Sequence, residues 1–214
     1  MKNLFGFALI LATALTLPNA FAGRGGNSSP AISVISAAEA ETLTFMREEE
    51  KLARDVYLTL FATWGTPVFE NIANAEQKHT SQVMEMLAAY RLPDPVVDDT
   101  TGVFVNQTLA NLYQQLVDRG NMNALEALYV GAYIEEIDIL DLQAAVAETD
   151  KADLQALYES LMQGSRNHLR AFVGSIERQG VVYEAQAMAQ EDVDAIVDTP
   201  TERGQPNTSR NGRR

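Results

Sequence analysis

Residues 76–79 read Glu76-Gln77-Lys78-His79 and lie inside an apolar pattern that is typical of a helix. Residues that recur at steps of three and four share one helical face, and this face carries Ile72, Glu76, His79, Val83 and Met86. The carboxylate and the imidazole are neighbours on that face, with Cβ atoms about 5–6 Å apart. Burying both among apolar residues is unfavourable unless a partner compensates them, and a metal ion is one such partner.

Apolar periodicity predicts four long helices and one short one, with no alternation long enough to indicate a sheet. The predicted helices span residues 37–64, 68–90, 107–119, 123–147 and 149–179, with Thr149 or Asp150 as the cap of the last. Short links join the first long helix to the second and the third to the fourth. A long connection carrying the short helix joins the second to the third. This pattern predicts an all-α, ferritin-like four-helix bundle with one crossover.

Composition limits the classes of partner. The chain has 29 acidic and 16 basic residues, a formal net charge of −13, so a nucleic-acid partner is not expected. It has no cysteine, which excludes disulfides, thiolate metal ligands and cysteine nucleophiles. A metal must therefore be bound through oxygen and nitrogen atoms, which favours iron, manganese or zinc over copper(I) and iron–sulfur clusters.

The N-terminus is typical of a secretory signal peptide. Lys2 is followed by an apolar run and by Ala20-Phe21-Ala22, small residues at the positions that signal peptidase inspects. A membrane anchor is the alternative, but the run is short for a span. Cleavage after about Ala22 would leave a periplasmic or secreted protein with no stable membrane anchor. The predicted organisation is a signal peptide (1–22), a flexible linker (23–36), a helical domain (37–180) and a largely disordered C-terminal extension (181–214).

Each long helix places potential metal ligands on its apolar face. In the first helix Glu49 and Glu50 border the buried face, whereas Glu48 groups with Lys51 and Asp55 on the side expected to face solvent. Di-metal bundles take a glutamate from each of two helices and Glu-x-x-His from each of the other two. The candidate metal ligands are Glu49, Glu50, Glu76, His79, Glu135, Asp138 and His168.

These patterns leave other interpretations open. A single Glu-x-x-His is a weak signal, and the run Glu48-Glu49-Glu50 also fits a solvated face that pairs with Lys51 and Arg54. A core histidine is often hydrogen-bonded to the protein rather than to a metal. The coincidence on four helix faces, which includes both histidines of the chain, favours a metal site over a structural polar network.

Four stretches, in order, carry a resemblance to a known family. They are Glu48-Glu49-Glu50-Lys51-Leu52-Ala53-Arg54-Asp55-Val56-Tyr57, Asn71-Ile72-Ala73 with Glu76-Gln77-Lys78-His79, Gly131-Ala132-Tyr133-Ile134-Glu135-Glu136-Ile137-Asp138, and Gly164-Ser165-Arg166-Asn167-His168-Leu169-Arg170-Ala171-Phe172. Together they resemble a bacterial domain-of-unknown-function family, number 2202, within the ferritin-like superfamily. The resemblance covers about residues 38–180.

The resemblance implies carboxylate-bridged di-iron or di-manganese chemistry: iron oxidation, reduction of dioxygen or peroxide, or metal storage. Glu50 resembles the first-helix ligand, with Glu49 as its rival and Tyr57 two turns away. Glu76 and His79 match the second-helix motif, Glu135 the third-helix glutamate and His168 the fourth-helix histidine. Ser165 stands where the fourth-helix motif would have a glutamate, and Asp138 is the nearest substitute. The site would then hold an asymmetric pair of ions, one ion or none.

We therefore expect an exported, ferritin-like protein that binds one or two iron or manganese ions and, if it is an enzyme, acts as a metal-dependent oxidoreductase on dioxygen or peroxide. The alternative is a metal-free secreted bundle that serves as a structural or interaction module. Its acidic groups would pair with Arg54, Arg166 and Arg170. A third interpretation is passive buffering of metal ions by the acidic surface.

Overall fold

The computed structural model describes residues 34–202, and within this range the chain forms six α-helices and no β-strand. The predicted all-α class is confirmed. The first five helices lie within a few residues of their predicted bounds, and the sixth lies in the region assigned to the C-terminal extension. The helices are α1 (Ala37–Trp64), α2 (Pro67–Ala89), α3 (Gln107–Gly120), α4 (Ala124–Glu148), α5 (Ala152–Glu177) and α6 (Gln190–Val197).

Local sequence explains most of the helix ends. Ser36 begins α1 through a capping box with Glu39, and Gly65 ends it at φ 62°, a backbone conformation that suits glycine. Pro67 opens α2 at a position where its missing N–H is not needed. The expected cap of α5 is wrong, because its N-cap is Lys151. Thr149 instead accepts a hydrogen bond from the Lys151 N–H and donates one of 2.6 Å to Glu39 of α1.

Contacts between side chains fix the directions of the long helices. Tyr57 of α1 contacts Glu135 of α4, and Glu39 contacts Thr149 at the other end, so these two helices are antiparallel. Tyr90, just after α2, hydrogen-bonds to Asp153 in the first turn of α5. α1 packs beside α2 and α4, and α5 packs beside the same two helices. Consequently α2 and α4 start at the same end of this helical bundle. The connection between them, residues 90–123, runs beside α1 back to that end.

The core consists of two apolar clusters with a layer of polar side chains between them. One cluster includes Tyr57, Phe69 and Phe172, and the other includes Leu43, Val83, Leu142 and Leu161. On each of the four long helices, one turn of polar residues lies between the residues of the two clusters. We call these polar residues together the polar layer: Glu50, Glu76, His79, Glu135, Asp138, Ser165 and His168.

The predicted solvent face of α1 is buried, so that expectation is wrong. Glu48 is 4% exposed, and Lys51 and Asp55 are fully buried. The connection after α2 covers this face: Glu48 accepts hydrogen bonds from the N–H groups of Val105 and Asn106, and Lys51 donates to the carbonyl of Thr100. Periodicity within one helix does not reveal coverage by a distant loop.

The segment that follows α5 packs on the bundle as far as the structure describes it. Glu136 of α4 is fully buried and accepts hydrogen bonds from the Tyr183 hydroxyl and from the N–H groups of Gln186, Ala187 and Met188. Residues 181–202 therefore add a helix and buried contacts where the sequence predicts a largely disordered extension.

Two predicted segments lie outside the described residues. They are the signal peptide with its cleavage site after Ala22, and the end of the C-terminal extension, residues 203–214. The first part of the linker also lies outside this range. None of the helices in residues 34–202 combines the length and apolar character that crossing a bilayer requires.

Candidate metal centre

The polar layer gathers side chains from all four long helices at one level of the bundle. Glu50 comes from α1, Glu76 and His79 from α2, Glu135 and Asp138 from α4, and Ser165 and His168 from α5. The carboxylate side chains of the layer are nearly inaccessible: Glu76 and Glu50 are each 2% exposed and Glu135 is 1% exposed. Helical spacing of three residues places the two members on α2 one turn apart, and likewise those on α4 and on α5.

Glu76 lies between the two histidines. Its Oε2 is 2.7 Å from Nδ1 of His79, and its Oε1 is 2.7 Å from Nδ1 of His168. The two imidazole rings have centroids 5.5 Å apart. One carboxylate therefore joins two imidazoles that come from different helices.

Each histidine also faces a second carboxylate. Nδ1 of His79 lies 3.2 Å from Glu50 Oε2, and Nδ1 of His168 lies 3.5 Å from Glu135 Oε2. Among the described residues, two groups have ligand atoms within 4.8 Å of one another, Glu50–Glu76–His79 and Glu76–Glu135–His168. The two groups share Glu76, so the arrangement is that of a paired site with one common carboxylate.

Neighbouring side chains orient the carboxylates of α4. The fully buried Tyr57 hydroxyl donates a 2.5 Å hydrogen bond to Glu135 Oε1. The Ser165 hydroxyl donates to Asp138 Oδ2, so the serine in place of the expected glutamate holds an aspartate from the adjacent helix. Orientation of ligands by a second set of hydrogen bonds is a common feature of metal sites.

Burial and crowding shift the pKa values of these groups in opposite directions. Burial raises the pKa of Glu50 to about 7, despite the nearby His79. Burial alone would lower the pKa of His168, but the Glu76 and Glu135 carboxylates raise it to about 10. The two imidazoles hold the pKa of Glu76 well below its ordinary value although burial acts in the other direction. Without metal, His168 therefore carries a proton at neutral pH, and the Glu76 and Glu50 carboxylates also favour the protonated form of His79.

The basic side chains do not neutralise the polar layer. Arg54 pairs with Asp55 and Asp99, and Arg166 and Arg170 pair with Glu202. No ion pair in residues 34–202 joins a lysine or arginine to a carboxylate of the layer. The pairing expected for a metal-free module is therefore not seen. When ionised, the four carboxylates of the layer carry four negative charges, which two divalent cations would neutralise.

Several buried polar atoms of the layer have no hydrogen-bond partner, and these atoms fit a metal ion. They include Glu50 Oε1, Asp138 Oδ1 and His168 Nδ1. His168 Nδ1 is within hydrogen-bond distance of Glu76 yet is not aligned for a hydrogen bond. Adjacent ligands on one ion, with bonds of about 2.1 Å, lie roughly 3 Å apart, which is close to the spacing found here. Buried polar atoms of this kind call for an explanation.

Five of the seven predicted ligands lie in the two groups of close ligand atoms: Glu50, Glu76, His79, Glu135 and His168. Asp138 lies in the same polar layer, where it accepts a hydrogen bond from Ser165. Glu49, the rival of Glu50, instead faces Asp141 of α4. Sequence reasoning missed Asp141, although its spacing of three residues from Asp138 was a usable signal. It also missed Gly164, which lies against the His79 ring.

Comparisons with known proteins place these residues in a wider group. A family model described as an uncharacterized protein domain (DUF2202) matches residues 39–200. The chain is 48% identical over 170 residues to "Uncharacterized protein MJ0754" of Methanocaldococcus jannaschii, covering 79% of this chain and 92% of that protein. It is also similar to the crystal structure of hypothetical protein MJ0754 from Methanococcus jannaschii, with a TM-score of 0.77 and 45% identity, covering 84% of this chain and 100% of that one. The matched range of the family model includes every residue of the polar layer.

Proposed function

The chain belongs to the DUF2202 family of uncharacterized protein domains, and we propose that it is a ferritin-like protein whose polar layer binds a pair of iron or manganese ions. Glu50, Glu76 and His79 would hold one ion, and Glu76, Glu135 and His168 the other. Asp138, held by Ser165, supplies a further carboxylate in place of the glutamate that α5 lacks.

The helix arrangement supports the ferritin-like part of the proposal. α1 and α2 form one hairpin, α4 and α5 form another, and residues 90–123 connect the two. One long crossover between two helical hairpins distinguishes the ferritin-like bundle from an up-down-up-down bundle. The ligands also lie at mid-helix on four facing helices, where such bundles build their metal sites.

The observation that carries the proposal is the position of Glu76. Its two carboxylate oxygens each face Nδ1 of a different histidine at 2.7 Å, in a buried layer without lysine or arginine partners. A carboxylate whose two oxygens each face a different nitrogen ligand is placed to bridge two ions. Carboxylate and imidazole ligands suit iron and manganese.

The residues around the layer determine what the site can do. A bound pair of such ions would supply redox and Lewis-acid chemistry toward ferrous iron, dioxygen or peroxide. The apolar clusters on both sides exclude water and strengthen the electrostatic interactions within the layer. Tyr57 fixes one oxygen of Glu135 and leaves the other facing His168. Glu50 Oε1 and Asp138 Oδ1 remain unpartnered on the protein side.

A matched pair of glutamate variants on α2 tests the proposal. Glu76→Gln removes the shared carboxylate, and Glu85→Gln removes the same charge from an exposed position on the same helix. Anaerobic calorimetric titration with Fe²⁺ and with Mn²⁺ should show two ions per chain for the wild type and for Glu85→Gln. Glu76→Gln should bind neither ion tightly. Equal binding by both variants would show that the ions bind elsewhere, as passive surface buffering requires.

The serine at position 165, where the fourth-helix motif would have a glutamate ligand, favours a second candidate function: a helical bundle that binds no metal. With both imidazoles protonated, Glu76 and the two histidines form a buried ion-pair network that holds α2 and α5 together. The protein would then be a structural or interaction module. Wild-type protein that takes up no ion in the same titration, while remaining folded, would select this function.

We also propose that the protein is exported. This part of the proposal rests on the sequence of residues 1–22 alone, and export would place the metal centre in the periplasm or outside the cell. Intact-mass measurement on protein recovered from the extracytoplasmic fraction should give a chain that begins at about Gly23. A full-length chain retained in the cytoplasm would refute the export.

A further inference from the structure

Glu49 is a buried carboxyl that neither metal-binding group uses. Its side chain lies between α1 and α4, is 8% exposed, and has an Oε2 atom with no hydrogen-bond partner. Burial raises the pKa of Glu49, and Asp141 and Asp138 of α4 both lie close enough for their charges to raise it further. Burying such a group without a cation lowers stability. Its position therefore calls for a reason other than stability.

Acidic groups form a continuous line from the surface to the polar layer. On α4 the residues Glu135, Asp138 and Asp141 recur every three positions and therefore follow one side of the helix. Asp141 is half-buried, Asp138 is 7% exposed, and Glu50, beside Glu49 on α1, is 2% exposed. Exposure thus falls step by step from Asp141 toward the centre.

This line does not form another binding site. The two groups of ligand atoms close enough to share an ion, among the residues that the structure describes, include neither Glu49 nor Asp141. Within the same residues, no lysine or arginine forms an ion pair with Glu49, Asp138 or Asp141. Glu49 and Asp138 each have an oxygen without a protein partner, which a passing cation can use.

Resting on the proposed function, we propose that Asp141, Glu49 and Asp138 form the path by which divalent metal ions enter the centre. Asp141 meets the hydrated ion at the surface between α1 and α4. Glu49 and Asp138 then replace its water molecules in turn and pass it to Glu50 and Glu135. The unpartnered oxygens of Glu49 and Asp138 are the atoms that do this.

Loading kinetics test the path. Co²⁺, whose visible absorption changes when it leaves water, is mixed with metal-free full-length protein in a stopped-flow instrument. Glu49→Gln and Asp141→Asn should each load at least about tenfold more slowly than the wild type, and both should reach the same number of ions at equilibrium. Glu41→Gln, an exposed glutamate on α1, is the matched control and should load at the wild-type rate.

Each other outcome overturns the path in a distinguishable way. Loading of both path variants at the wild-type rate would overturn the path and leave the centre intact. A lower final number of ions in either variant would make that residue a ligand instead. Failure of the wild-type protein to bind Co²⁺ would overturn the proposed function and the path together. Circular dichroism of each metal-free variant verifies its fold, and because Asp141 is half-buried, its variant keeps the test usable if Glu49→Gln unfolds.

Discussion

The His79 imidazole lies against α5 at Gly164, which lacks a Cβ. A Cβ built at Gly164 would lie 2.5 Å from Nε2 of His79, so any side chain there must displace the ring. The close approach of α2 and α5 at this level therefore depends on glycine. Gly164 thus supports the position of the ligand His79, and loss of such support weakens metal affinity by roughly 10–100-fold.

Gly164→Ala should lower metal affinity by that factor, measured by titration with Mn²⁺, because the His79 ring moves away from Glu76. Gly174→Ala is the control on the same helix, since its Cβ would meet only Arg178 at 3.6 Å. The control should leave the affinity unchanged and raise the free energy of unfolding by about 0.5–1 kcal/mol. Equal metal affinities for the two variants would contradict the packing described here.

Metal binding should release protons, because the metal-free layer holds them. His168 has a pKa of about 10 and Glu50 of about 7, and the pKa of His79 is raised well above its ordinary value. These protons are bound only in the metal-free state, so raising the pH favours the loaded state. At pH 8 at least the His168 proton leaves as the ions bind, so the overall association constant should rise by at least about one order of magnitude per pH unit. Calorimetry in buffers of different ionisation enthalpy measures the release, and an affinity independent of pH would contradict it.

At the scale of the helix, α1 shows what periodicity can and cannot predict. Its apolar periodicity correctly placed Glu50 at the buried face. It placed Lys51 and Asp55 toward solvent, yet these residues form a fully buried ion pair of 2.5 Å that contacts Thr100, Gly102 and Phe104. A row of charged residues gives the same sequence pattern whether it faces water or is covered by a distant loop. The sequence of α1 alone therefore cannot distinguish an exposed row from a buried one.

One carboxylate of α4 holds residues 183–188, the first part of the segment after α5. Glu136→Gln replaces an acceptor that serves the Tyr183 hydroxyl and three consecutive N–H groups, those of Gln186, Ala187 and Met188. The amide NH₂ of glutamine replaces one acceptor oxygen and faces the N–H and O–H donors. This should lower the free energy of unfolding by about 2–4 kcal/mol. Hydrogen exchange should become faster in residues 183–197. Glu191→Gln, an exposed position on α6, should change neither quantity, and protection retained by Glu136→Gln would refute this role.

At the scale of the molecule, one polar layer divides the apolar core. The sequence predicted that each long helix places acidic or imidazole residues on its apolar face, but not that they divide the core into two clusters. It did not predict which glutamate of α1 would face the histidines, since Glu49 and Glu50 both border that face. Nor did it predict that Ser165 would hold Asp138. Both depend on how α1, α4 and α5 are rotated relative to one another, which only packing decides.

Because the polar layer is unfavourable without a cation, metal should stabilise the whole domain. An ion at one hundred times its dissociation constant contributes about 2.7 kcal/mol. For a domain of this size the melting temperature should then rise by about 5–10 °C. Thermal denaturation followed by circular dichroism with and without Mn²⁺ measures this rise. The His79→Ala/His168→Ala double variant should show no such increase, and an equal increase in that variant would indicate binding outside the layer.

The most direct test of the metal centre is the metal content of the purified protein. Wild type and the His79→Ala/His168→Ala double variant are prepared without chelator or affinity metal and analysed by elemental mass spectrometry. The centre described here predicts two iron or manganese ions per wild-type chain and none in the folded double variant. Wild-type protein without metal, even after anaerobic reconstitution with ferrous iron, would contradict the centre, as would a double variant that retains its ions in full.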